Sequence, residues 1–473
     1  MKTKIITLIL TILLLAGILS GCGKTAVSFP VTVEGAIFGG NADDRIDTTL
    51  NFDAKWLTKG DNEKYSKDLA AFSALISADV YFRAKDVDKG TQNRVLFDGE
   101  KAEEYDWTAL LKHLGFSDVE YIESYKAKEY TADTNDSATM TMGYMSSDNK
   151  YDVYVIALRG CFSAQEWMSI FDPGSAGESY TSYTGVHEEW KNTDHFKGVD
   201  IAANRAKEFI DEFIASHDDP AKKNCILLTG HSRGGMLANL LGAEYEKNTN
   251  AKTFTYTFNT MGVTNDSAAT SYKTIFNVFD ANDFYTNVLP FKNEPFYRYG
   301  KNVTVSIADS DKVKDELSSL KGRDDYACTN AEALADYADM FGRRFADRAS
   351  LYEKEILTET FSSEDEALAR AEELRTLTGS ESGLGLETFC VVNDAISNGD
   401  GTYSVSMEYC GAALLWGYCK TLAYGADAYS AFKTIFSGDE LGCEIADFLA
   451  DNAEGITGGH ALANSYVLAG IAG

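Results

Sequence analysis

Apolar residues along the chain recur with two periods, and those periods predict most of its elements. Leu69, Phe72, Ile76 and Val80 share one helical face and predict a helix over 68–82, after a short tether. Asp152 to Leu158 predicts a strand, and Ala202, Ala206, Phe209 and Phe213 predict a helix over 200–214. Cys225-Ile226-Leu227-Leu228-Thr229 has the composition of a buried strand. Gly235-Met236-Leu237-Ala238-Asn239-Leu240-Leu241, soon after it, carries apolar residues at helical spacing. Thr253 to Phe258 and Ile275 to Phe279 are rich in β-forming residues. Strands alternating with helices predict a mostly parallel sheet covered on both faces.

From Lys301 to Asp439 the pattern turns acidic and helical. Ser363 and Glu366 have the spacing of a capping box, opening a helix that runs through Leu377. Met407 to Tyr424 is strongly apolar with helical spacing. The stretch is too long for an ordinary loop. It predicts a helical insertion or cap over 301–439, on a sheet domain built from 22–300 and 440–473.

The turn between the strand at 225–229 and the following helix is Gly230-His231-Ser232-Arg233-Gly234. Strand, G-x-S-x-G and helix together describe a nucleophile elbow, in which the serine occupies a strained backbone conformation with small residues on either side. The strain exposes the hydroxyl above the sheet, and the helix N-terminus behind it favours developing negative charge. A serine alone is a weak nucleophile, so a base and an orienting acid must follow. On this kind of sheet the chain order is serine, then Asp or Glu, then histidine. Of six histidines only His460, in Gly458-Gly459-His460, lies after Ser232. The acid is expected just past the strand at 275–279, where Asp280 and Asp283 both stand; Asp283, nearer the Leu289-Pro290 exit, is the choice.

Composition narrows the setting. Apolar residues make up 44% of the 473, a globular proportion, and the formal charge of −29 leaves no basic face for nucleic acid. Lys2 and Lys4 precede an apolar run from Ile5 to Leu19, the layout of a signal peptide. Leu19-Ser20-Gly21-Cys22 at its end resembles a bacterial lipobox. That resemblance implies a signal peptide over 1–21, a lipid on the Cys22 thiol and a secreted protein tethered to the outer face of a bacterial cell membrane. Seven cysteines remain after Cys22 without C-x-x-C spacing, so no zinc site is expected and disulfide pairing stays open. His187, Glu188, Glu189, Asp194 and His195 match no metal-binding helix pattern. The aromatic-rich stretch from Phe162 to Trp190, with Gly174 and Gly177, is expected to act as a lid or acyl-site wall.

Several motifs together resemble the class 3 lipases of the α/β-hydrolase superfamily. Val155-Ile156-Ala157-Leu158-Arg159-Gly160-Cys161, with Trp167 six residues on, is similar to that family's strand ending in F-R-G-T before a tryptophan. His195-Phe196-Lys197-Gly198, the Gly230–Gly234 elbow, Thr257-Phe258 through Gly262, Asn282-Asp283 through Leu289-Pro290, and His460 with Tyr466 resemble its later motifs in order. The resemblance implies an α/β-hydrolase fold, an ester or lipid substrate, no cofactor, and a triad of Ser232, Asp283 and His460. It implies an oxyanion hole built from the backbone N–H groups of Cys161 and Arg233. Cysteine at 161, where the family usually has threonine or serine, removes a hydroxyl and keeps the backbone donor. The expected function is a serine ester hydrolase, a lipase or carboxylesterase. An amidase or transacylase on the same triad, and a surface lipoprotein that binds a ligand without turnover, are the alternatives.

Overall fold

The computed structural model describes residues 26–34, 45–81, 94–97, 108–124, 137–161, 166, 169–170, 197–264, 266–280, 283, 285–286, 297–305, 353–380, 383–387 and 389–447. The tether expected before residue 68 contains strands. β1 (Ala26–Glu34) pairs antiparallel with β2 (Arg45–Asp53) and with β3 (Arg94–Phe97). Val31, Val33, Leu50, Phe52, Val95 and Phe97 are the buried positions of this small sheet, an alternation at period two.

The main sheet has seven strands in the order β10-β9-β8-β7-β6-β5-β4. These are β4 (Asp118–Ser124), β5 (Ala138–Asp148), β6 (Tyr151–Leu158), β7 (Lys223–His231), β8 (Lys252–Phe258), β9 (Ile275–Asp280) and β10 (Lys301–Val305). β6 through β10 are parallel, and β5 and β4 complete one side as an antiparallel pair. The helices on this sheet are α1 (Lys67–Asp79), α2 (Lys197–His217) and α3 (Arg233–Asn248). This is the α/β-hydrolase arrangement.

Alternate residues of the central strands enter two separate cores, which is why these strands read as continuous apolar runs. Tyr154, Ile156, Leu158, Ile226 and Leu228 pack with α2 and α3. Val153, Val155, Ala157, Cys225, Leu227, Phe254, Tyr256 and Phe258 pack with α1 and the small N-terminal sheet. A buried amide network ties α3 to the sheet. Asn239 donates to Asn277 Oδ1 (2.8 Å) and to the Tyr299 carbonyl (2.9 Å), and accepts from the Tyr299 N–H (2.9 Å).

The stretch after 301 differs from the helical insertion expected. Lys301–Val305 belongs to the main sheet as its edge strand. Beyond it lies a second sheet made of β11 (Lys354–Phe361), β12 (Cys390–Val392), β13 (Ile396–Ser397) and β14 (Tyr403–Cys410), all paired antiparallel to β14. Its helices are α4 (Glu364–Thr378), α5 (Gly411–Tyr424) and α6 (Ala426–Ile435). Met407 begins no helix: Val405, Met407 and Tyr409 alternate inward along β14, and the helix starts only at Gly411. Three apolar strand residues, Met407, Tyr409 and Cys410, running directly into an apolar helix merge two periods into one run. The capping box is present: Ser363 Oγ accepts from the Glu366 N–H at 3.3 Å. Its partner carboxylate takes the Ser362 hydroxyl at 2.9 Å, which holds Glu366 below the usual carboxylate range. Buried residues of α4, β14 and α6 belong to the same hydrophobic cluster as α2 and α3. Cys161, Cys225, Cys390, Cys410 and Cys443 are free thiols. Among the described residues no helix is long and apolar enough to cross a membrane.

Candidate active site

β7 ends at His231 and α3 begins at Arg233, so Ser232 is the whole of the turn between them. Its backbone has φ 56 and ψ −126, and Asn259 is the only other non-glycine at positive φ among the described residues. Such a conformation costs on the order of 1–3 kcal/mol and persists only where the surroundings over-determine it. Here they do. The Ser232 N–H donates to the Phe258 carbonyl at 2.9 Å, and its carbonyl accepts from Met236 N–H at 3.0 Å. A Cβ on Gly230 would overlap the Gly234 carbonyl, and one on Gly234 would overlap the Leu158 carbonyl at the end of β6. Two glycines therefore let α3 descend onto β7 and β6. Gly234→Ala is expected to destabilise the fold by about 3 kcal/mol or more, because backbone stands in the way. Thermal denaturation followed by circular dichroism checks this; an unchanged midpoint would contradict it.

The same close approach places the chain after β6 against the elbow. A Cβ on Gly160 would meet the Tyr81 hydroxyl and lie 2.6 Å from the His231 carbonyl oxygen. Cys161 follows, buried, and burial pushes its thiol far up, so the sulfur stays protonated and is no thiolate nucleophile. Arg159 and Arg233, both fully buried, anchor this region. Arg159 pairs with the equally buried Glu166 at 3.1 Å, and Arg233 donates through Nε to Ser169 Oγ (2.8 Å) and through NH2 to the Ser137 carbonyl (2.8 Å). Only three residues of the aromatic-rich stretch after Cys161 are described: Glu166, Ser169 and Ile170. All three are buried, and Glu166 and Ser169 are the partners of these arginines. The expected lid role of 162–190 otherwise lies outside the described residues, as do Cys22, His187 and His195.

Asp283 sits three residues beyond the end of β9 and is 1% exposed. Its Oδ1 accepts the Tyr285 N–H at 3.0 Å, the hydrogen bond of an Asx turn. Its Oδ2 accepts the Thr286 hydroxyl. Arg298 braces the same segment, donating through Nε to the Thr260 carbonyl (2.6 Å) and through NH2 to the Thr286 carbonyl (2.7 Å) over the Phe279 ring. Burial lowers the guanidinium to about 10, and the Asp283 charge opposes that fall. The Asp280 side chain and His460 lie outside the described residues. The structure thus describes Ser232, Arg233 and Cys161 around one turn, and Asp283 in a cradle past the strand next but one.

Tyr81, Thr286 and Arg298 escaped the sequence reading. Tyr81 carried a signal: Ser73, Ser77 and Tyr81 repeat every four residues, a polar stripe running along α1 beside its apolar face. The Ser73 carbonyl and the Ser77 hydroxyl both meet the Thr229 hydroxyl, and the next position on that stripe reaches His231.

Residues 155–293 match the model of the family "Lipase (class 3)". Among solved structures, a triacylglyceride lipase of Rhizomucor miehei is 18% identical, covering 52% of this chain and 81% of that one with a TM-score of 0.33. The Lip2 lipase of Yarrowia lipolytica is 16% identical, covering 51% and 78% with a TM-score of 0.35. The M37 lipase is 14% identical, covering 59% and 80% with a TM-score of 0.32. No curated protein matches the chain. The family match over the strand, elbow and acid loop makes this chain a lipase-type hydrolase.

Proposed function

We propose that the chain hydrolyses acyl esters, lipids among them, through a triad of Ser232, Asp283 and His460 and a covalent acyl-enzyme. The observation that carries this reading is Ser232 alone in a strained turn between β7 and α3, with glycines that tolerate no Cβ on either side of it. Ser232 Oγ attacks the ester carbonyl carbon while His460 takes its proton. The oxyanion accepts hydrogen bonds from the N–H groups of Cys161 and Arg233, the latter at the N-terminus of α3, where the helix dipole adds to the effect. Collapse expels the alcohol, which receives its proton from His460. Water then attacks the acyl-enzyme with His460 again as base, releasing the carboxylic acid. Asp283, fixed in its cradle by the Tyr285 N–H and the Thr286 hydroxyl, orients the imidazole and stabilises its protonated form. Removal of 1–21 and lipidation of Cys22 complete the proposal and put the enzyme on the outer face of the membrane.

Labelling of the membrane fraction with a fluorophosphonate is the test. The wild-type chain is expected to become labelled at Ser232, Ser232→Ala to remain unlabelled, and Cys22→Ser to move the labelled protein out of the membrane fraction. Absence of labelling in folded wild-type protein would reject the hydrolase, and membrane retention of Cys22→Ser would reject the anchor.

A further inference from the structure

We infer that Tyr81 is a positioning residue for the oxyanion hole: its hydroxyl clamps the elbow to the segment after β6 that carries Cys161. The inference rests on the serine hydrolase reading and adds a residue to it. Tyr81 follows α1 and is 1% exposed. Its hydroxyl lies 3.0 Å from His231 Nδ1 and 3.4 Å from the His231 carbonyl oxygen, so one oxygen reaches both the ring and the backbone of the residue preceding Ser232. On its other side the same hydroxyl fills the place a Cβ on Gly160 would take. Burial keeps the phenol protonated, with the Cys161 thiol near enough to add to that effect. The phenol is therefore present as a donor at every pH at which the enzyme works.

The two proposed oxyanion donors belong to different segments. Arg233 N–H moves with the elbow, whereas Cys161 N–H moves with the loop after β6. Ester hydrolysis needs both at hydrogen-bond distance from one oxygen, and errors well below 1 Å weaken such a pair. Backbone ladders fix β6 against β7 up to Leu158 and Gly230, and no ladder pair is formed beyond. Across that gap the backbones touch at Gly160 and Gly234, and the Tyr81 hydroxyl adds a polar bridge. It holds His231 from just past the end of α1, a third element that packs beneath both strands. The contact lies one residue from each reacting segment: His231 precedes Ser232, and Gly160 precedes Cys161. Tyr81 is buried, so it acts through the two segments it joins.

Tyr81→Phe keeps the ring and removes the clamp. The full-length protein and this variant, together with His231→Leu, are to be compared by fluorophosphonate titration, by kcat and KM on a short soluble ester, and by thermal midpoint. Both variants are expected to titrate to one label per chain but roughly 10-fold or more slowly, with kcat lowered in parallel and KM little changed. A merely structural role would instead lower the labelled fraction and leave the rate of the remaining molecules unchanged. Wild-type labelling rates in either folded variant would overturn the clamp while leaving the hydrolase intact. Should Tyr81→Phe fail to fold, His231→Leu decides alone, because it removes the ring partner of the hydroxyl with Tyr81 in place. Failure of the wild-type enzyme itself to label would overturn both readings.

Discussion

Replacing His460 by alanine is expected to lower kcat on an acyl ester by roughly a thousandfold or more, to the level of Ser232→Ala, with the double variant little worse than either. The expectation rests on chain order. The acid and base of this fold follow the nucleophile, and His113, His187, His195, His217 and His231 all precede or adjoin Ser232 too early to serve. The described histidines are each engaged elsewhere. His113 packs between Phe29 and Phe97, and His217 pairs with Asp118 at 2.9 Å and stacks on Tyr144. His231 lies beside the nucleophile, yet its Nδ1 is 3.0 Å from the Tyr81 hydroxyl. Members of a triad act as a unit, so losing one removes most of what the three supply together. Steady-state kinetics on purified, folded variants decide it. Near-normal turnover in His460→Ala would remove the base and the order argument with it.

Asp283→Asn is expected to cost roughly 10^3- to 10^4-fold in kcat, because an amide holds the imidazole in the wrong tautomer and carries no charge to balance its protonated form. The fold should tolerate the change. Asparagine keeps the oxygen that accepts the Tyr285 N–H, and the Thr286 hydroxyl can turn to accept from the new amide. Arg298 loses its neighbouring charge, at a cost of about 1–3 kcal/mol. Its hydrogen bonds to the Thr260 and Thr286 carbonyls remain. Asp280→Asn is the comparison, and its kcat is expected to fall less than tenfold. Rate constants and thermal midpoints for the pair separate the two aspartates. Equal losses, or a larger loss at Asp280, would move the acid to the other position.

The strands that carry the site were legible because β6, β7 and β8 are buried on both faces. Such strands must be apolar almost without interruption, and no helix competes for a run of five or six such residues between turn signals. β1, β2 and β4 went unread for the opposite reason. Their sequences, AVSFPVTVE, RIDTTLNFD and DVEYIES, alternate weakly between apolar and polar residues, and an exposed face of such a sheet reads like a tether. The module after Lys301 misled by composition. Its acidic surface and strong α4 capping box are helical signals, while β11 alternates in burial but not in polarity, with Ile356 on the exposed face and Glu355 and Glu359 on the half-buried one, leaving the strand silent in the sequence.

By itself, then, the amino-acid sequence determined the elbow, the order of the three candidate catalytic residues and the parallel sheet that presents them. Each depends on neighbours within a few residues: two glycines around a serine, an apolar run before them, an aspartate just past a strand. Tertiary structure alone decided what surrounds those groups. Tyr81 meets His231 across 150 positions, Arg233 meets Ser137 across 96, and Arg298 reaches Thr260 across 38. No local spacing encodes such contacts. They follow from which faces of the strands pack against which helices, and only the folded chain brings those faces together.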